Sequence, residues 1–269
     1  MEVCLIGAFD ARVAGSRPVA TGPPSRKART LLALLAVERG RLVSVDRLAE
    51  ALWHRQPRSP AADIATLVSR LRAGFGRDVI EGGRAGYRLG PDVKVDLHHA
   101  AALLRAAETQ ADRPRRAHTA ASEALGMLAS GAVLPDHPDD GWLRPVREWQ
   151  VTLLRRARLV VAKSAILVGD PSHAIEVAQA AVDADPFDES AYRVLMTASQ
   201  AAGEPARAVL AFQQLRAVLA GELGIEPAGS TQDLLVTILR DNAARDPAMV
   251  RQPPVWTAWS GGRASRSRI

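Results

Sequence analysis

Two segments of the chain, GDPSHAI from Gly169 and GEPARAV from Gly203, share a pattern of glycine, acid, proline, alanine and aliphatic residue, and they stand 34 residues apart. A fixed period of that length restricts the architecture, because each copy must be one unit that buries its apolar face only by stacking on the next. The first copy reads on as GDPSHAIEVAQAAVDADP, with small residues at Ala174 and Ala181 and a proline at Pro186. The small residues permit close helix approach, and the proline stops the helix. In the second copy Ala208 and Phe212 take the matching positions.

Thirty-four residues is the tetratricopeptide period, in which each unit is a pair of helices. Residues 97–168 are helical in pattern too, with WLRPVREWQVTLLRRARLVVAKSAILVG as one long amphipathic segment, although no second repeat is visible there. An all-helical, tetratricopeptide-like domain is therefore expected over residues 97–241. From Asn242 the chain lacks apolar periodicity and ends SGGRASRSRI, so residues 242–269 are expected to form a basic disordered tail in which Trp256 and Trp259 stand out.

The first 96 residues read differently. EVCLIGAFDARVAGSRPVATG mixes short apolar stretches with Gly and Pro turns, as small antiparallel strands do, and Cys4 is expected to be buried in one of them. SRKARTLLALLAVERG supplies a capping Ser25, a buried run Leu31, Leu32, Leu34 and Leu35, and a stop at Gly40. SVDRLAEALW starts a second helix at Ser44 and buries Val45, Leu48, Leu52 and Trp53. A proline-containing link, HRQPRSP, leads into IATLVSRLRAGFG, whose Ile64, Leu67, Val68, Leu71 and Phe75 lie on one face of a 3.6-residue helix. Its outward face then carries Ala62, Asp63, Thr66, Ser69, Arg70 and Ala73. VIEGGRAGYRLG reads as two short strands around a glycine turn, with Tyr87 and Leu89 on one side and Arg84 and Arg88 on the other. Helix, turn, helix and basic hairpin is the order of a winged helix, in which the second helix of the pair enters the major groove.

Charge supports that order. Residues 1–96 hold 16 basic and 10 acidic side chains, residues 97–239 hold 13 and 17, and residues 240–269 hold 6 and 2. Positive charge gathered in one domain favours a polyanionic partner for that domain.

Enzyme chemistry leaves no trace. The three lysines, Lys27, Lys94 and Lys163, do not stand in a phosphate-loop pattern, and no HExxH or cysteine pair supplies metal ligands. His98 and His99 are adjacent, point apart on a helix and are expected at the surface. Asp136, Asp139 and Asp140 fall in a Gly/Pro loop and read as solvated turn residues. No catalytic residue, cofactor or metal is expected. With no apolar run long enough to span a bilayer and Glu2 where a secretory signal carries positive charge, a cytoplasmic location is expected, on the nucleoid when DNA is bound.

RKARTLLALLA, GRLVSVDRLAEALW, VSRLR and GYRL together resemble the OmpR-type winged helix of the Streptomyces antibiotic regulatory protein family, the SARP activators. VDLHHAAALL, ADPFDESAYRVLM and LAGELGIEP resemble the bacterial transcriptional activator domain that follows it in the same family. The resemblance implies a mainly α protein, a winged helix-turn-helix with small β elements followed by the helical domain. It implies activation of secondary-metabolite genes from promoter direct repeats, by a homodimer on double-stranded DNA that recruits RNA polymerase. Carried onto this chain, Thr66, Ser69, Arg70 and Arg72 fall in the recognition helix, Arg84 and Arg88 in the wing, and Arg55 and Arg58 in the loop that meets polymerase. This helix departs from the family pattern at Ala61, Ala62, Asp63, Ala73 and Gly74, which offer few donors to bases or phosphates. The alternative expectation is a tetratricopeptide scaffold whose winged helix is vestigial.

Overall fold

In the computed structural model, residues 1–13, 25–110, 112–137 and 141–245 are described. The Ser25 hydroxyl accepts the Ala28 amide and starts helix α1 (Arg26–Val37), whose four expected leucines are buried. Ser44 does the same for the Arg47 amide and starts α2 (Val45–Leu52). Each cap supplies an acceptor for an amide that the helix itself leaves unpaired. α3 (Pro60–Phe75) begins without a side-chain cap, on the preset φ of Pro60, and ends at Gly76, whose φ of 105° lies in the left-handed range that glycine tolerates. Ile64, Leu67, Val68 and Leu71 are buried as the periodicity requires, and Phe75 is half-buried.

Strands β1 (Glu2–Cys4) and β2 (Asp10–Arg12) pair antiparallel, and β5 (Lys94–Val95) joins β1 in parallel from the far end of the domain. β3 (Ile80–Gly83) and β4 (Gly86–Leu89) form the hairpin, with Ile80 opposite Leu89 and Gly83 opposite Gly86. Gly86 has a φ of 147°, and a Cβ there would collide with the Val43 carbonyl, so the hairpin seats against the chain entering α2 only because this residue is glycine. Two expectations need correcting. Cys4 ends β1 half-buried, its thiol pushed up mainly by burial, instead of lying fully in the core. Arg84 lies in the two-residue turn, not in the second strand, because β4 starts at Gly86.

The helical domain runs through α4 (Asp96–Thr109), α5 (Pro114–Ala129), α6 (Arg144–Val168), α7 (Pro171–Ala184), α8 (Glu189–Ala201), α9 (Pro205–Glu222) and α10 (Gly229–Arg245). The repeat is visible as geometry: Gly169 and Gly203 both turn left-handed, with φ of 88° and 78°, and Pro171 and Pro205 open the helices that follow. Ala174, Ala181 and Ala208 are buried in a core shared by α4 to α10, and Phe212 packs against it. At the turn into α8, Arg155 of α6 clamps the buried Asp188 with two bonds, of 2.5 and 2.8 Å. That guanidinium holds the Asp188 carboxyl below the usual carboxylate range. α10 continues past the expected boundary at residue 241, carried by Leu234, Leu235 and Ile238 on the core and by the helix-favouring Ala243 and Ala244. Trp256 and Trp259 lie outside the described residues.

Residues on the two sides of residue 96 pack into one core. One apolar core contains the winged-helix residues together with Leu97, Ala101 and Leu104 of α4, Leu128 of α5 and Leu153 of α6. The Asp96 carboxylate accepts the Leu5 and Ile6 amides at 2.9 and 3.0 Å, pinning the end of β1 to the start of α4. Ile6 bridges Val133, and buried Gln150 holds that loop through the Val133 amide and the Leu128 and Gly131 carbonyls. His98, expected at the surface, is buried here. Its Nε2 donates to the Ala36 carbonyl at 3.0 Å, and its ring lies 5.2 Å from that of Trp149 on α6. His99 is exposed as expected.

Candidate nucleic-acid interface

Because the apolar stripe of α3 fixes its roll angle, Ala62, Asp63, Thr66, Ser69, Arg70 and Ala73 all face outward and are exposed. α2 and α3 pack against each other, and β3 follows α3 after a single 3-10 turn, Arg77–Val79. Helix pair and hairpin are thus locked by short connections and by a shared core.

The six residues expected at DNA are not equivalent. Arg70 makes no hydrogen bond or ion pair among the described residues, so its guanidinium is available. Ser69 is likewise exposed, whereas the Thr66 hydroxyl bonds the Ala62 carbonyl at 2.9 Å within its own helix. Arg72 is half-buried, and its guanidinium donates to the Ile80 and Gly82 carbonyls at 2.9 and 3.3 Å, bracing β3 against α3. A guanidinium has five donors, so this brace leaves some of them for a phosphate. Arg88 points away from Tyr87 and Leu89 as the alternation requires, and it pairs with Glu81 across the hairpin at 2.6 Å. Arg84, at the tip, is exposed without an ion partner among the described residues.

Arg55 and Arg58 are exposed in the link between α2 and α3. The first residue of that link, Trp53, is held from the other side by the Lys27 ammonium, 4.9 Å from its ring centre. Arg77, exposed at the junction of α3 and the hairpin, is a further cation with no ion-pair partner among the described residues, and the helix periodicity alone does not single it out. Its signal was its place immediately after the helix-ending Gly76.

Among the described residues no group of three His, Cys, Asp or Glu side chains converges as a metal site. Asp136 is exposed, as expected of a turn residue, while Asp139 and Asp140 lie outside the described residues. No described helix is long and apolar enough to cross a membrane.

A winged helix with one outward polar row and a free arginine, rigidly joined to a helical-repeat body, defines the class: a DNA-binding transcriptional regulator. Residues 22–89 match the model for the C-terminal domain of transcriptional regulatory proteins, and residues 95–239 match that for the bacterial transcriptional activator domain. The chain belongs to the SARP family of transcriptional activators.

Regulatory protein DnrI of Streptomyces peucetius is 26% identical over 94% of this chain and 96% of its own length. Transcriptional regulatory protein EmbR of Mycobacterium tuberculosis is 32% identical over 89% of this chain, and the match spans only 63% of EmbR. Regulatory protein AfsR of Streptomyces coelicolor is 32% identical over 84% of this chain and 23% of its own length. In solved structures, M. tuberculosis EmbR in complex with a low affinity phosphopeptide superposes with a TM-score of 0.77 at 30% identity, over 93% of this chain and 71% of that one.

Proposed function

We propose that the chain activates transcription by placing α3 in the major groove of a promoter, with the β3–β4 hairpin on the neighbouring backbone. Arg70, Ser69 and Thr66 read base edges; Arg72, Arg84 and Arg88 meet phosphates, Arg72 while also bracing the hairpin. The carrying observation is the exposed row Thr66, Ser69 and Arg70, held at a fixed angle by the buried Ile64, Leu67, Val68 and Leu71. One helix reads few base pairs, so useful specificity calls for two protomers, bound to direct repeats as a homodimer on DNA. Arg55 and Arg58 contact RNA polymerase, and the regulated genes belong to a secondary-metabolite cluster, for which the family is the support. The protein then works in the cytoplasm, on the nucleoid.

A specific observation favours the second reading, a protein-binding scaffold. Ala61, Ala62, Ala73 and Gly74 flank the reading row and offer no side-chain donor. Sequencing the DNA that the purified chain retains from a randomised duplex pool separates the two readings. An activator of this kind enriches a motif repeated at fixed spacing; a scaffold enriches none.

A further inference from the structure

Two exposed features of the helical domain are complementary and lie at opposite ends of the same helix layer. The first is an open cleft of about 600 Å³ where the start of α5 meets the end of α6, lined by Arg113, Pro114, Arg115, Arg116, Leu167 and Val168. Arg113 lies 3.6 Å from Asp112, but Arg115 and Arg116 have no carboxylate partner among the described residues. Leu167, on the cleft wall, is 65% exposed. Arginines around uncovered apolar surface suit an acidic segment that also carries a large apolar side chain.

The turn between α7 and α8 has that composition. Asp183 and Asp185 are exposed and make no ion pair within 4 Å among the described residues; their oxygens accept from the Gln179 side chain and the Phe187 amide, both neutral, and Asp185 feels Arg155, which clamps Asp188, only at longer range. Phe187, between them and buried Asp188, is 45% exposed. α7 begins just after the cleft residues Leu167 and Val168, and its 14 residues carry the chain about 21 Å to this turn. One copy therefore cannot fold its own turn into its own cleft.

We propose that the arginine cleft of one copy receives the Asp183–Phe187 turn of a second copy, joining two chains head to tail. Such a contact uses different surfaces on the two partners, so unless rotation closes it into a ring it propagates, and DNA sets how many copies line up. It supplies a contact for the paired binding proposed above. The test runs without DNA, so its outcome is separate from that of the promoter reading.

Sedimentation velocity on the full chain at low salt, where exposed charges are least screened, reads the association. The wild type is expected to gain mass with concentration and lose that gain as salt rises. Arg115→Glu with Arg116→Glu, and separately Asp183→Arg with Asp185→Arg, are each expected to be monomeric, since each places like charges in contact. Mixing the two variants restores opposite charges at both contacts and is expected to restore association. If a reversal fails to fold, Arg115→Ala with Arg116→Ala and Asp183→Asn with Asp185→Asn replace it, and weaker, salt-insensitive association is expected. A wild type that stays monomeric, or variants that associate like it, overturns the proposal. Loss with the cleft variant alone overturns the turn as occupant and points to an acidic segment elsewhere.

Discussion

Arg70 and Arg72 are two residues apart, yet the structure separates them. The Arg70 guanidinium has no partner among the described residues, whereas Arg72 is partly committed to the Ile80 and Gly82 carbonyls. Arg70→Ala is therefore expected to cost about 1–3 kcal/mol on the preferred site and little on scrambled DNA, read by gel-shift titration of both; equal loss on the two would make Arg70 a phosphate contact. His98 carries a second expectation. Burial is the main cause that holds its imidazole below the usual histidine value, and Arg39 adds to it; the hydrogen bond to the Ala36 carbonyl, and less so the Val37 carbonyl and Asp96, oppose it without cancelling it. With Nε2 donating to Ala36, a second proton would go on Nδ1, which is buried and has no partner among the described residues. Its folded pKa lies below its unfolded one, so its contribution to stability is present above the unfolded value of about 6.5 and is lost as pH falls through the folded value. The melting temperature is expected to drop between pH 7 and pH 5 more steeply in the wild type than in His98→Gln, and parallel slopes would contradict this. Sequence could show the stripe of α3 because burial there follows a local period. It could not show the partners of Arg72 or His98, since His98 meets a carbonyl 62 positions away.

Whole elements were legible wherever a local rule decided them. Ser25 and Ser44 cap as read, and the 34-residue period reappears as two left-handed glycines and two helix-opening prolines. Misreadings fell at ends: the hairpin turn took Arg84, and α10 took residues assigned to a tail, because the last turns of a helix depend on what they pack against. The link between α2 and α3 is an element in its own right. Trp53 anchors its start and Pro60 its end, and Arg55 and Arg58 project from it. Changing both arginines to alanine is expected to leave promoter binding nearly intact while lowering transcription by purified RNA polymerase. Equal loss of binding and transcription would make them phosphate contacts only.

At the scale of the whole molecule, the shared core and the Asp96 clamp join the winged helix to α4–α6, so the helical body fixes the direction in which α3 is presented. Two rigid copies that touch head to tail must meet the duplex in the same orientation. Their repeats are then expected about one helical turn apart, roughly 10–11 base pairs, since that spacing returns the groove to the same face. Gel-shift titration on the native spacing, with half a turn inserted and with a full turn inserted, measures the geometry. Cooperative binding is expected on the native site, none after the half-turn insertion, and partial recovery after the full turn; equal affinity on all three would contradict paired recognition and leave independent monomers.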